Sequence, residues 1–306
     1  MTLPLRVYRQ LSDTGPGNIP DRGKDDTVNQ STQDLAATDA GVAQRPMVDV
    51  RGVSKQFTIN LGKELQQVQA LHDVSFTAQP GEIVALAGLS GCGKTTLLRI
   101  LMSLDRADGG SIRIAGREVD RPGHDRGMVF QHAELLPWRT ALKNVEYGLH
   151  LKGTNKDEAR SRALDALKLV GLEDSSGRRP HQLSGGMRQR VGIARALAID
   201  PEVLLMDEPF GALDAQTRET LQAELLAIHA RTRKTIVFVT HDLDEAVLLA
   251  DKVLVMGSHP GHIKAEVPID IPRPRHDPEA LRATTAFMEH RYKVWQLLQT
   301  QTPSPK

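Results

Sequence analysis

The chain has 306 residues, of which 40% are hydrophobic and 25% charged, enough apolar material for one large globular domain with tails. Lys and Arg (39) nearly balance Asp and Glu (38), and no long basic run occurs, which argues against a general nucleic-acid binder. Cys92 is the only cysteine, so an intramolecular disulfide framework and a cysteine-built metal site are excluded. The longest apolar runs are far shorter than the ~20 residues of a membrane-spanning helix.

The first 46 residues are rich in Asp, Gln, Thr and Gly. They contain no positively charged start followed by an apolar stretch, so they do not resemble an export signal. Their low hydrophobicity predicts a disordered N-terminal extension over 1–46, with docking onto a partner as the alternative.

From Met47 onward, short β-branched runs alternate with longer helical patterns, which is typical of an α/β domain with a largely parallel sheet. Strands are predicted at 48–57, 74–77, 83–87, 128–130, 203–206, 235–239 and 253–256. Helices predicted at 141–151, 156–170 and 186–198 form a helix-rich insertion. A Pro-rich segment at 271–275 precedes one more predicted helix, 278–299, with the candidate apolar contacts Phe287, Tyr292, Trp295 and Leu298.

The predicted strand 83–87 leads into a glycine-rich segment that matches the G-x-x-x-x-G-K-[ST] phosphate-binding loop, or P-loop, in its strand-to-helix context. Its residues are Gly88, Leu89, Ser90, Gly91, Cys92, Gly93, Lys94, Thr95 and Thr96. The glycines let backbone N–H groups and a helix N-terminus face the phosphates of ATP, where Lys94 adds a positive charge. The Thr95 hydroxyl is placed to ligate Mg²⁺. The alternative is a glycine-rich turn that starts an ordinary helix.

A second candidate cluster follows the apolar strand 203–206, where Asp207 and Glu208 stand at its carboxyl end. In a parallel sheet that end lies beside the phosphate-binding loop. Asp207 would hold Mg²⁺, directly or through water, and Glu208 would orient and polarise the water that attacks the γ-phosphate. A solvated acidic turn is the alternative. Together with the glycine-rich segment, the pair favours a nucleotide-hydrolysing site.

The segment 183–190, Leu-Ser-Gly-Gly-Met-Arg-Gln-Arg, resembles the signature motif of ABC ATPases. Ser184, Gly185 and Gly186 open a predicted helix and would expose a hydroxyl and backbone donors suited to a γ-phosphate. By itself such a start is also an ordinary helix cap. The resemblance implies an α/β P-loop NTPase of the ABC ATPase type, in which a mostly parallel sheet is joined by an antiparallel β-subdomain and a helical subdomain at about 132–200.

Further residues match this family in chain order. Gln131 follows strand 128–130, Asp214 ends a Gly-Ala-Leu-Asp segment, and His241 follows strand 235–239. The resemblance implies that Gln131 contacts Mg²⁺ and senses the γ-phosphate. It also implies that His241 contacts that phosphate and that Asp214 helps to join two protomers. Phe57 resembles the aromatic residue that stacks on adenine, and a core Phe at a strand end is the alternative.

The family resemblance spans one ATPase domain at 47–275 and leaves a C-terminal helix and tail at 276–306. Met187 and Ser103 depart from the usual residues of their motifs. In this family ATP binds between two head-to-tail protomers, with Lys94 of one facing Ser184 of the other. The resemblance therefore implies a homodimer whose catalytic residues are Glu208, His241 and Gln131.

Within the family, the segments 124–131, 135–138 and 260–275 look like those of the importer ATPases for nitrate, sulfonates and taurine. That resemblance implies a peripheral protein on the cytoplasmic face of the bacterial inner membrane. Its partners would be integral membrane permease subunits and, indirectly, a periplasmic substrate-binding protein. The implied cargo is a small anion, with taurine or an alkanesulfonate favoured over nitrate.

The competing hypothesis is a soluble ABC ATPase that acts in DNA repair or on ribosomes without a transporter. Neither the long coiled-coil insertion of the first group nor the second ATPase domain usual in the other occurs in this sequence. A local feature also favours a transporter: Leu135, Leu136 and Trp138 stand around Pro137, just after Gln131. These side chains either pack the helical insertion onto the sheet or, for Trp138, receive a short helix of a permease.

Overall fold

The computed structural model describes residues 45–60, 65–275 and 277–300. The predicted N-terminal extension lies outside the described residues except for its last two, and so does the tail after Thr300. The strands are β1 Val48–Asn60, β2 Leu65–Ala78, β3 Ile83–Gly88, β4 Gly109–Ile114, β5 Arg117–Glu118, β6 Arg126–Val129, β7 Val203–Asp207, β8 Thr235–Thr240, β9 Lys252–Gly257 and β10 His262–Pro268. The helices are α1 Lys94–Leu101, α2 Ala141–Leu151, α3 Lys156–Leu169, α4 Gly185–Ala198, α5 Ala215–Thr232, α6 Leu243–Leu249, α7 Pro278–Arg282 and α8 Thr285–Gln299.

Two sheets form the framework of the described chain. β10, β9, β3, β8, β7 and β6 lie side by side in that order. Neighbouring strands of this sheet run parallel except for the antiparallel pair β10–β9. The second sheet, β2-β1-β4-β5, is antiparallel throughout. The predicted fold class, a mostly parallel sheet with an antiparallel β-subdomain and a set of helices, is confirmed.

The strands of the parallel sheet are apolar on both faces because both faces are covered. β3 shows the alternation. Ile83, Ala85 and Ala87 belong to a core shared with α2 to α6 and α8. Val84 and Leu86, on the opposite face, belong to a second core shared with α1 and the antiparallel sheet. The strand that leads into the glycine-rich segment is therefore anchored on both sides.

The predicted insertion is present as α2, α3 and α4, which lie between β6 and β7. Each begins at a residue with a short polar side chain that accepts a hydrogen bond from the first turn: Thr140, Asn155 and Ser184. Such caps satisfy N–H groups that have no partner inside the helix, so they set where each helix starts. The three predicted helices are confirmed to within one residue at either end.

The antiparallel hairpin is longer than predicted. β1 and β2 pair from Val48 opposite Ala78 to Asn60 opposite Leu65, whereas strands were expected only at 48–57 and 74–77. Most of the added residues are exposed, such as Thr58 and Gln67, and their sequence shows no regular alternation of buried apolar and exposed polar side chains. Backbone pairing across the hairpin extends both strands without that pattern.

The C-terminal region is two helices, α7 and α8, where one was predicted. The chain breaks because the Thr284 hydroxyl accepts a hydrogen bond from the Phe287 N–H (3.3 Å) and starts a new helix. Phe287 is buried as predicted, and Leu298 packs against the core from a partly buried position. The prediction for Tyr292 and Trp295 was wrong: both are exposed, and their rings stack with centroids 5.8 Å apart.

The described helices are short or polar in sequence. Among those in the described residues, none combines the length and the apolar character needed to cross a lipid bilayer.

Candidate functional site

Lys94 is the first residue of α1, and its side chain folds back onto the glycine-rich loop that joins β3 to α1. Its ammonium donates hydrogen bonds to the carbonyl groups of Gly88 (2.8 Å) and Leu89 (3.0 Å). The residue is only 6% exposed. Carbonyl dipoles offset part of the cost of burying this charge, which stays available to an anion that enters the loop.

α1 begins differently from the other helices. Within the described residues, α2 to α8 each start at a side chain that accepts a hydrogen bond from the first turn. α1 starts at Gly93, with φ of 93° and no side-chain cap. A side chain at Gly93 would also come within 2.6 Å of Leu71 Cδ2 and 2.9 Å of the Ala70 carbonyl oxygen. The uncapped N–H groups and the positive end of the helix dipole therefore favour an anion here.

Cys92 serves the loop through its small size. It is fully buried, and a Cβ on Gly88 would lie only 2.6 Å from its Sγ. Burial raises the pKa of the Cys92 thiol, which Lys94 opposes. A buried thiol with a raised pKa is a poor nucleophile, so this cysteine acts here as a packing residue.

A cavity of about 400 Å³ opens over the loop. Its lining is Phe57, Ala70, Ser90, Gly91, Gly93, Lys94, Thr95, Thr96 and Glu208. Phe57 is 38% exposed, so the alternative of a core Phe was wrong. The Lys55 ammonium lies 5.3 Å from the centroid of the Phe57 ring. The cavity thus joins an aromatic ring of β1 to the glycine-rich loop.

The end of β7 brings Glu208 to this cavity and Asp207 into contact with Thr95, which lines it. β7 pairs with β8 in parallel, so the segments after both strands emerge at the same edge. The Thr95 hydroxyl donates a hydrogen bond to Asp207 Oδ1 (3.2 Å), and His241 Nδ1 lies 3.1 Å from Glu208 Oε2. Glu208 has a left-handed backbone with φ of 42°. A non-glycine residue held in that region is a local strain of the kind that collects at functional sites.

Gln131 reaches the same group from β6. A Cβ placed on Gly211 would lie 3.1 Å from Gln131 Nε2 and 3.4 Å from Glu208 Oε2. The amide and the carboxylate therefore flank Gly211 from two sides, and this position needs a glycine because both approach it so closely. The predicted residues Thr95, Gln131, Asp207, Glu208 and His241 are brought to one edge of the sheet.

The surroundings of Asp207 act on its charge. The pKa of Asp207 is raised, chiefly by burial and further by the neighbouring charge of Glu208, while Thr95, Lys94 and Arg99 lower it. Burial disfavours the charged carboxylate because it loses contact with water. A cation beside Asp207 would therefore bind it more strongly than it would bind a carboxylate in water.

The signature residues lie on a different surface. The Ser184 hydroxyl accepts a hydrogen bond from the Met187 N–H (3.2 Å), and Asp214 caps α5 by accepting one from the Thr217 N–H (3.0 Å). A Cβ on Gly186 would lie 2.5 Å from Thr217 Cγ2, so the starts of α4 and α5 are in contact. Ser184, Gly185 and Asp214 are exposed, and as far as the described residues go they do not line the cavity over the loop.

Sequence reasoning missed the residues that support His241. Thr240 donates a hydrogen bond to Glu245 Oε2 (2.6 Å), and Asp242 accepts two from the first turn of α6. Burial raises the pKa of Glu245, helped by Asp242 and opposed first by Thr240. An acidic residue followed three positions later by a second one is a helix-start pattern, so Asp242 and Glu245 carried a usable signal.

Comparison with known proteins places this arrangement in a family. The family model described as "ABC transporter" matches residues 71–211. The taurine import ATP-binding protein TauB of Rhizobium johnstonii is 44% identical over 82% of this chain and 96% of its own length. The nitrate import ATP-binding protein NrtD of Synechocystis is 48% identical over 69% of this chain and 80% of its own.

A solved structure resembles most of this fold. It is a dimeric, post-hydrolysis ATP-binding cassette, MJ0796, bound to ADP and phosphate. The TM-score is 0.64 at 34% identity, and the match covers 74% of this chain and all of that one. Sequence identity, fold and the order of the motifs agree. The chain belongs to the ABC transporter family, as one of its ATP-binding and ATP-hydrolysing subunits.

Proposed function

We propose that ATP binds in the cavity over the glycine-rich loop and that Glu208 orients and polarises the attacking water. The observation that carries the proposal is the convergence of Lys94, Thr95, Glu208 and His241 from two strand ends and one helix start. Lys94 and the uncapped start of α1 hold the phosphates. Glu208 Oε2 is 3.1 Å from His241 Nδ1, so the imidazole can hold the carboxylate in place and contact the γ-phosphate.

The oxygen donors of the site fit Mg²⁺. Thr95 Oγ1 and Asp207 Oδ1 lie 3.2 Å apart, close enough to serve as neighbouring ligands, and Gln131 supplies a third oxygen from β6. In the described residues no cluster of three or more His, Cys, Asp or Glu could hold a metal by itself. Magnesium in nucleotide sites takes most of its ligands from phosphates and water, which agrees with so few protein donors. When bound, the ion neutralises charge on the phosphates.

Phe57 is the proposed contact for the adenine ring. It is exposed at the edge of the phosphate cavity, on β1, which pairs with the strand that carries Ala70, β2. An aromatic face binds a flat base by stacking, and Lys55 over the same ring adds a positive charge near the nucleotide. Replacing Phe57 with Ala should weaken binding of ATP and ADP alike, without changing turnover at saturating ATP.

The signature residues are proposed to face a second copy of the chain. Ser184, Gly185, Gly186 and Asp214 stand at the starts of α4 and α5, in contact with each other and away from the cavity of their own chain. In a head-to-tail homodimer they would complete the partner's site by binding its γ-phosphate. The exposed surface of these helix starts supports this pairing.

At the level of physiology, we infer that the subunit drives import of a small anion. The support is the similarity to subunits named for taurine and nitrate import. A sulfonate, taurine or an alkanesulfonate, is the preferred cargo and nitrate the second choice. The chain would sit on the cytoplasmic face of the inner membrane, bound to permease subunits that receive the anion from a periplasmic binding protein.

Reconstitution tests this function. The wild-type subunit, its permease and the binding protein are placed in proteoliposomes, and ATP hydrolysis is measured with taurine, an alkanesulfonate or nitrate added. Stimulation by one anion, together with its uptake, is the expected result. The Glu208→Gln subunit in identical vesicles gives the background. Equal hydrolysis with and without permease and cargo would contradict an importer subunit.

A further inference from the structure

We propose that Arg275 and Arg273 are positioning residues for the histidine His241: they hold the carboxyl end of α6 and thereby fix where that helix presents the imidazole. The inference rests on the proposed role of His241 in hydrolysis. Both arginines belong to the Pro-rich segment 271–275, which the nucleotide site itself does not use.

The two arginines bind every free carbonyl at the carboxyl end of α6. Arg275 Nη1 donates hydrogen bonds to the carbonyl groups of Val247 (3.3 Å), Leu248 (2.7 Å) and Ala250 (2.9 Å). Arg273 Nη2 donates to the remaining one, Leu249 (2.6 Å). The last carbonyls of a helix have no partner inside it, so cationic donors at this end also complement the helix dipole.

His241 lies at the opposite end of the same helix. Asp242, the next residue, caps α6 by accepting hydrogen bonds from the N–H groups of Asp244 (2.8 Å) and Glu245 (3.1 Å). The helix has only seven residues, which is about 10 Å at 1.5 Å per residue. So short a helix takes its position from contacts with the rest of the fold, which are the packing of its buried residues 246–249 and the hydrogen bonds at its two ends. A shift at the carboxyl end would therefore move His241.

The same cluster also anchors the strand that leads to the phosphate loop. Arg273 Nε donates to Asp251 Oδ1 (2.7 Å), and Asp251 Oδ2 accepts a hydrogen bond from the N–H of Ile83 (2.8 Å), the first residue of β3. Arg273 thus ties α6 to β3. This connection sets the position of His241 relative to the phosphate-binding loop that follows β3. The distance between His241 and that loop decides whether the imidazole can contact a γ-phosphate bound there.

A fully buried guanidinium is an expensive way to cap a helix. The Arg275 side chain is fully buried, and its nearest carboxylate oxygen, on Asp251, lies 4.0 Å away. Burial, with the nearby charge of Arg273, lowers the pKa of Arg275 to about 10, while Asp251 raises it. A buried charge without a close counter-ion does not stabilise the fold. The position of Arg275 is therefore better explained by a role in fixing where α6 lies than by a role in stability.

A double-mutant cycle separates positioning from stability. Arg275→Lys keeps the charge but loses the fork that reaches several carbonyls at once. We expect it to lower kcat about 10-fold while KM for ATP changes less than about twofold. His241→Ala alone should cost about 100-fold. In the His241→Ala background, Arg275→Lys should cost less than about twofold more, because the group it positions is gone.

Arg126→Lys is the matched control. Arg126 is equally buried and donates to a helix-end carbonyl, that of Leu101 in α1 (2.9 Å), but it does not bond α6. Its effect on kcat should multiply with that of His241→Ala. If Arg275→Lys does not fold, Arg273→Gln takes its place, because Arg273 is partly exposed and bonds only one α6 carbonyl.

Each outcome decides the inference. All variants are assayed well below their melting temperatures, which are measured in parallel. Losses for Arg275→Lys and His241→Ala that multiply as in the control would overturn the positioning role and leave the role of His241 intact. Wild-type turnover by His241→Ala would overturn both proposals together.

Discussion

Two surfaces of this chain differ in what their polar side chains bond to. We call them the P-loop edge, with Lys94, Thr95 and Asp207, and the signature edge, with Ser184 and Asp214. At the P-loop, Lys94 is bound by two carbonyls, and Thr95 reaches Asp207 across the sheet edge. At the signature edge, the side chains of Ser184 and Asp214 each accept a hydrogen bond from the first turn of their own helix, and within the described residues they bond no other element. One edge is assembled from distant parts of the chain, and the other is a pair of exposed helix starts.

That difference indicates what one copy can do by itself. A preformed edge needs little reorganisation to hold the phosphates, so nucleotide binding is expected of the isolated chain. Ser184 and Gly185 are exposed, so a ligand would reach them from another surface. Hydrolysis should therefore depend on a second copy, whereas binding should not.

The largest effect is expected inside the preformed edge, from Glu208→Gln. The amide cannot polarise the attacking water, so turnover should fall about 100-fold or more while ATP still binds. Steady-state phosphate release and equilibrium binding of a fluorescent ATP analogue measure the two quantities. An ATP-dependent dimer should accumulate, visible by size-exclusion chromatography. Hydrolysis near the wild-type rate would refute the proposed role of Glu208.

The second effect, nearly as large, tests the outward-facing edge. Ser184→Arg places a bulky side chain where the partner's phosphate should sit, so hydrolysis should drop about 100-fold with monomer affinity for ATP nearly unchanged. Lys94→Ala should do the reverse and weaken ATP binding roughly 10-fold or more, since a charge-assisted contact is lost.

Mixing the two variants tests whether the Lys94 surface of one copy and the Ser184 surface of another form one site. A mixed dimer of Ser184→Arg and Lys94→Ala has one composite site with both wild-type residues, so part of the activity should return. Dimers carrying either substitution twice serve as controls. No recovery in dimers shown to be mixed would mean that the signature edge does not serve a partner's site.

The preformed edge was largely predictable from the sequence, and its contacts were not. Continuous apolar runs such as 203–206 predict buried strands, and motif spacing identified Lys94 and Glu208. The contact between Glu208 and His241 depends on β7 lying next to β8, which is a property of the sheet and not of either segment. α5 was missed because buried Gln222 and His229 interrupt its apolar pattern. The prediction for Tyr292 and Trp295 of α8 was wrong because the sequence of this helix does not indicate which of its faces packs against the core.

A smaller effect is expected at a third surface, between the two edges. The segment after Gln131 is bound to the helical insertion: Arg195 Nη2 donates a hydrogen bond to the Ala133 carbonyl (2.8 Å), and Asn144 Nδ2 donates one to the Leu136 carbonyl (3.2 Å). Leu135 packs against the core from a partly buried position, as the alternative had it, but Trp138 is 69% exposed. A large exposed aromatic side chain on a well-fastened loop is typical of an anchor for a partner.

Trp138→Ala should accordingly leave ATP binding and basal hydrolysis of the isolated subunit unchanged. It should weaken association with the permease about 30-fold, the size of a 2 kcal/mol hot spot, and reduce hydrolysis stimulated by cargo. Tyr292→Ala is a matched control, because Tyr292 is also exposed but lies on α8. Normal assembly and transport by Trp138→Ala would contradict this anchor.

The smallest effect concerns the support of the preformed edge, and it is one of stability alone. His229, buried in α5, lies with Nε2 2.9 Å from the carbonyl oxygen of Gly81, just before β3. Burial lowers the pKa of His229, with Arg273 adding to the shift. At pH above about 6.5 both folded and unfolded states hold a neutral imidazole, so the residue adds no pH dependence there. Below that pH the unfolded state takes up a proton that the folded state resists, so stability falls as the pH drops.

His229→Gln keeps a donor to Gly81 and removes this titration. Its melting temperature should therefore drop less than that of the wild type between pH 7.5 and 5.5, with ATPase activity at pH 7.5 unchanged. The exposed His181→Gln should follow the wild-type curve. A wild-type pH dependence in His229→Gln would show that the acid sensitivity of the fold arises elsewhere.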